Sequence, residues 1–134
     1  MPGKAKVTGI LRDINNQPIV GGKIIAAMEG TDTFEMGTRI AAGRVSTTTG
    51  ADGAWEIELI VSAEGADKST TWTVSGYDGL LTQVFEVKSL FIASTAPIRL
   101  DHLQATSEAN RQAASGGTFA QVVAAPSYED YLAF

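Results

Sequence analysis

No cysteine occurs in the 134 residues, and there is one histidine, His102. The first absence removes disulfides, thiolate zinc sites and cysteine nucleophiles. The second leaves no imidazole pair for a metal and no partner for a triad, so His102 reads as a surface residue. Charge is scarce as well, at 19% of the chain against about 25% in ordinary globular domains. Ten Lys and Arg face fifteen Asp and Glu, giving a net charge of −5, so the basic face that nucleic-acid binding needs is lacking. No apolar run reaches the roughly 18 residues of a membrane-spanning helix. The basic start, Lys4 and Lys6, has no apolar stretch behind it, so no secretion signal is expected.

What is present suits one domain with a tail, at roughly 100–150 residues per domain. A chain of this length can hide about two-thirds of its unfolded surface, enough for a core without disulfides or metal. The charge is uneven: six basic residues face four acidic ones through residue 49, and four face eleven after it. Such asymmetry fits a molecule whose two sides meet different neighbours, and equally a scatter over a solvated surface.

Up to about Leu100 the chain reads as short strands separated by turns. Residues 7–12 and 22–28 are β-capable, and Asn15-Asn16-Gln17-Pro18 supplies the turn between them. The β-branched stretch 44–49 runs into Gly50-Ala51-Asp52-Gly53, whose Asp-Gly pair favours a tight hairpin. In 54–61, Trp55, Ile57, Leu59 and Val61 alternate with Glu56 and Glu58, marking a half-buried strand. Alternation returns in 71–75, with Trp72 and Val74 inward, and a further strand is expected over 80–87 after Tyr77-Asp78-Gly79. Residues 97–100, led by Pro97, suit an edge strand, because proline lacks a ladder donor. About seven short strands with turns between them are the pattern of a β-sandwich.

Two stretches depart from this pattern. Residues 29–43 form a long connection carrying Phe34, Met36 and Ile40, which either face a partner or tuck into the end of the sandwich. From Asp101 onward the composition turns alanine-rich. Asp101 and Gln104 have the spacing of a capping box, which predicts a helix over 102–115 whose methyl-lined face would grip a core weakly. Beyond it, 118–134 contains Phe119, Val122, Val123, Tyr128, Tyr131, Leu132 and Phe134, and no charge occurs between Gln112 and Ser127. Disordered tails are normally poor in aromatics, so these residues are expected to be covered, by the chain's own sandwich or by another subunit. The organisation expected is a β-sandwich domain over 1–103 and a helix with an arm over 104–134.

Enzymatic templates fail in turn. Residues 17–24 lack the first glycine and the hydroxyl of a phosphate-binding loop, and Ser75 lacks the flanking glycines of a nucleophile elbow. Asp52 alone cannot supply the oxygen ligands of a calcium loop. Glu56 and Glu58 share a strand face at a spacing glycosidases use, but their alternation with Trp55 and Ile57 marks them as a solvent face. No catalytic residue, cofactor or metal ligand is assigned, and the protein is expected to be no enzyme.

Three segments carry a resemblance: 7–13 with 17–24, 47–55, and 71–77. Val7-Thr8-Gly9 leading to Asp13, then Pro18-Ile19-Val20-Gly21, then the threonine-rich 47–49 running into Asp52-Gly53-Ala54-Trp55, resemble the carboxypeptidase-regulatory-like and transthyretin-like branch of immunoglobulin-type sandwiches. The likeness covers residues 5–100 and departs at 29–43 and after 104. It implies an all-β, immunoglobulin-like Greek-key sandwich of about seven strands, followed by a short helix and an extended C-terminal arm. Domains of this kind serve as spacers and adhesion modules and recur in bacteriophage virions as decoration, cement and fibre proteins. The expectation is therefore a virion structural protein that binds capsid or head–tail proteins, or further copies of itself, through Phe119, Val122, Val123, Tyr128, Tyr131, Leu132 and Phe134, with Phe34, Met36 and Ile40 as a second contact. Neither nucleic acid nor membrane is expected as a partner. A carbohydrate-binding or adhesion module is the alternative, and an enzyme accessory domain a third reading.

Overall fold

A computed structural model of the chain describes residues 3–114, in which nine strands and one helix follow in order. The expected alternation holds where it is clearest. In β6 (Ala54–Ile60), Trp55, Ile57 and Leu59 are buried and the glutamates between them exposed. Antiparallel to it runs β1 (Lys4–Ile10), with Ala5 opposite Leu59, Val7 opposite Ile57 and Gly9 opposite Trp55. On the other side of β1, β9 (Ile98–Arg99) adds a short parallel edge directly after Pro97.

A second sheet has the order β5–β2–β7–β8, antiparallel throughout, from β2 (Lys23–Glu29), β5 (Arg44–Thr48), β7 (Thr71–Tyr77) and β8 (Gln83–Leu90). Its inward residues Ile24, Ala26, Met28, Trp72, Val74 and Leu90 join Val7, Ile57 and Leu59 in one core cluster. The result is an all-β, sandwich-like fold with one short helix. Burying a large aliphatic side chain is worth about 1.5–3 kcal/mol, and this shared layer is what holds the sheets together. Trp72 keeps its indole N–H satisfied by donating to the Ile60 carbonyl of the opposite sheet at 3.1 Å.

The structure changes two of the expectations from sequence. Residues 29–43, expected as one long connection outside the strand pattern, carry strands of their own. They contain a small hairpin of β3 (Asp32–Thr33) and β4 (Arg39–Ile40) around a 3-10 turn at Glu35–Gly37. The helix α1 (Leu100–Ala114) begins two residues earlier than predicted, so Asp101 is inside it, with its two carboxylate oxygens accepting from Nε and Nη2 of Arg99. α1 is also gripped more firmly than its alanines suggest. Leu103 is buried in the core, and one turn on the buried Ser107 hydroxyl accepts the N–H of Phe91 at 3.0 Å.

Candidate functional site

The strand directions gather three connections at one end of the sandwich: β1 to β2, β5 to β6, and β7 to β8. Thr49, buried between them, ties two together. Its hydroxyl accepts the N–H of Gly22 at 2.8 Å and donates to the Ile19 carbonyl at 2.5 Å, and its backbone exchanges bonds with Gly21 and Gly22. The third connection packs backbone to backbone on the first: a β-carbon on Gly22 would stand 2.7 Å from the Tyr77 carbonyl oxygen.

Two of these loops have the same internal wiring. Asp13 Oδ1 accepts the N–H groups of Asn15 and Gln17, and Asp78 Oδ1 accepts those of Leu80 and Thr82, at 2.9 and 3.0 Å in each case. Each aspartate also closes the loop through its own N–H, bonded to the carbonyl four residues on. The fourth loop position is left-handed in both, Asn16 at φ 62° and Leu81 at φ 65°. Asparagine tolerates that conformation, whereas for a leucine it costs roughly 1–2 kcal/mol.

These rigid loops present apolar tips. Ile14 is 99% exposed, Leu80 88% and Leu81 70%, with Ile10 and Val20 exposed nearby. At this end an open cleft of about 870 Å³ draws on both sheets and the start of α1, with Ile10, Trp55, Phe85 and Leu100 among its lining. Arg99, Asp101 and Glu56 also border it.

At the opposite end the β3–β4 hairpin is fixed by Asp32. Its buried carboxylate accepts the N–H groups of Thr33, Asp67 and Ser69, and Gly65 lies so close against it that any side chain there would collide. Burial alone would push the Asp32 carboxyl up. The N–H groups of Asp67, Thr33, Ser69 and Lys68 together outweigh it and hold the carboxyl below the ordinary carboxylate range. Of the three sequence-chosen residues here, Phe34 is buried, Ile40 packs half-buried on the core, and only Met36, 95% exposed at φ 60°, points outward. Phe119, Val122, Val123, Tyr128, Tyr131, Leu132 and Phe134 lie outside the described residues.

Reading the sequence missed Ile14, Leu80 and Leu81 as a group. The available signal was an aspartate followed four residues later by the loop's closing residue, in Asp13 to Gln17 and again in Asp78 to Thr82. Trp55 and Trp72, the aromatics a sugar platform would most use, are both buried. Among the described residues there is no group of three His, Cys, Asp or Glu side chains placed to hold a metal, and no helix long and apolar enough to cross a membrane. No protein-family model matches the chain, and no curated protein matches it.

Proposed function

We propose that the protein is a non-catalytic structural module that joins neighbouring subunits of a virion, as a capsid decoration, cement, head–tail junction or fibre component. The observation that carries the reading is Leu81, a large apolar side chain held in a left-handed conformation and left 70% exposed beside Leu80 and Ile14. Strain and exposure together are a double cost, and residues of this kind cluster where a surface meets a partner. Met36 repeats the combination at the far end, so the sandwich offers an apolar contact at each end, as a bridging piece requires. The Phe119-to-Phe134 arm adds a third contact. The immunoglobulin-like Greek-key ancestry and the virion setting rest on the resemblance of 7–24, 47–55 and 71–77, which is fold-level analogy.

The test is sedimentation of purified capsids with the full chain, with a chain ending at Gly117, and with Leu80→Ser/Ile14→Ser. The full chain is expected to co-sediment, and the two variants to stay in the supernatant while remaining folded. Undiminished binding by both variants would sink the reading. A carbohydrate-binding module predicts instead that a glycan panel quenches tryptophan fluorescence through the Trp55 edge of the cleft.

A further inference from the structure

The cleft at the loop end is lined largely by apolar groups, and the chain itself carries an apolar segment that could cover them. Trp55 from one sheet and Phe85 from the other both line it, each covering a glycine on the neighbouring strand, Gly9 and Gly76. Ile10 and Leu100 continue the apolar lining, and Ile10 is exposed on its rim. Water over such a surface forfeits on the order of 25 cal/mol for each Å² that could be covered. Twenty residues, 115–134, follow the described part of the chain, and seven of them are large and apolar or aromatic: Phe119, Val122, Val123, Tyr128, Tyr131, Leu132 and Phe134.

We propose that this cleft is the acceptor for the 118–134 segment of a second copy of the chain, so that the arm of one subunit fills the Trp55–Phe85 cleft of the next. The inference rests on the bridging function above and names the partner of its arm.

Chain length decides between a neighbour's arm and the subunit's own. Leu100 lines the cleft, and α1 carries Ala114 about 21 Å away along its axis at 1.5 Å per residue. Phe119 is five residues further, a reach of about 17 Å when fully extended, so a subunit's own Phe119 cannot return to its own cleft. Val122 and Val123, eight and nine residues beyond Ala114, span at most about 27 and 31 Å, so they return only with the chain drawn out to two-thirds or more of its full length. Only the last cluster, from Tyr128, can come back with slack, and that would leave the first three large groups outside. A neighbour's arm has no such tether and can lay both clusters along one cleft. Head-to-tail exchange of this kind either closes into a ring or continues as a lattice, depending on the rotation between copies.

The absence of native cysteine makes the test clean. Full chains carrying Thr48→Cys, an exposed position on the cleft wall, are mixed with full chains carrying Ala133→Cys, which leaves every large arm residue in place, and are oxidised mildly. A chain with Ala41→Cys, exposed at the opposite end, replaces the first as the control. Between-copy disulfides joining positions 48 and 133 are expected at least fivefold above those joining 41 and 133, as read by mass spectrometry. Equal yields would overturn the proposal, and so would bonds that form only within a single chain carrying both Thr48→Cys and Ala133→Cys. If crosslinking fails while the chain ending at Gly117 still loses capsid binding, the acceptor is wrong and the bridging function stands. If that shortened chain binds capsids undiminished, the arm has no bridging role.

Discussion

Trp55 lies over Gly9, its register partner on β1, so closely that a β-carbon on the glycine would stand 2.5 Å from the indole Cζ2. Phe85 stands over Gly76 in the same way on the facing sheet. Both aromatics use the missing side chain of the opposite strand as their seat, which is how a sheet can carry a large ring at an inward position without splaying.

The seat sets the sign of a glycine substitution. Neither Gly9 nor Gly76 has a positive φ, so alanine should suit the backbone and stabilise by about 0.4–1 kcal/mol through the unfolded chain. Displacing the buried Trp55 ring or the half-buried Phe85 ring costs more, about 1–3 kcal/mol. Gly9→Ala and Gly76→Ala are therefore expected to lower the urea midpoint, and Gly50→Ala, whose new methyl makes only ordinary contact at 3.7 Å, to leave or raise it.

Asp32 predicts an acid limb of stability. Its folded-state pKa is depressed, so its contribution is fully present above the unfolded value near 4 and is lost as pH falls through the lower folded value. Asp32→Asn places an amide where an acceptor faces several N–H groups, and is expected to cost about 1–3 kcal/mol at neutral pH. Below about pH 4 the gap between variant and parent should narrow. Denaturation curves from pH 2 to 7 read both effects, and a constant gap would contradict the assignment.

The grip on α1 is tested at Ser107. Ser107→Ala leaves the buried Phe91 N–H without its acceptor, an expected loss of about 1–3 kcal/mol. Leu103→Ala should cost about 2–5 kcal/mol by opening a cavity. Faster amide exchange over 100–114, with the sheets unchanged, would locate the damage in the helix.

Leu81 separates stability from function. Leu81→Gly relieves roughly 1–2 kcal/mol of left-handed strain and gives back about 0.5–1 kcal/mol in chain entropy. The variant is expected to melt slightly higher and to bind capsids less. Equal binding would show that the strained leucine is not a contact.

The main strands were legible because their signal is local. Trp55, Ile57 and Leu59 alternate with glutamates, and a period of two needs no partner to be recognised. Where the partner was distant, legibility stopped. Asp32 looks like a loop aspartate until the N–H groups of Asp67 and Ser69 are brought to it from 35 and 37 residues away. Leu80 and Leu81 read as the start of a strand, because nothing in their hydrophobicity reveals that Asp78 captures the backbone first. Asp101 had the spacing of a cap, but Arg99 took its carboxylate.

Residue type and periodicity along the chain are enough for the all-β, sandwich-like class, for the inward faces of the long strands and for the lack of thiols and of a second imidazole. Only in the folded chain does Phe34 become buried and Met36 exposed, does Ser107 anchor a helix of alanines, and do Ile14, Leu80 and Leu81 come to share one end of the sandwich. Those outcomes depend on which distant backbone groups and side chains meet, and a linear pattern does not contain that information.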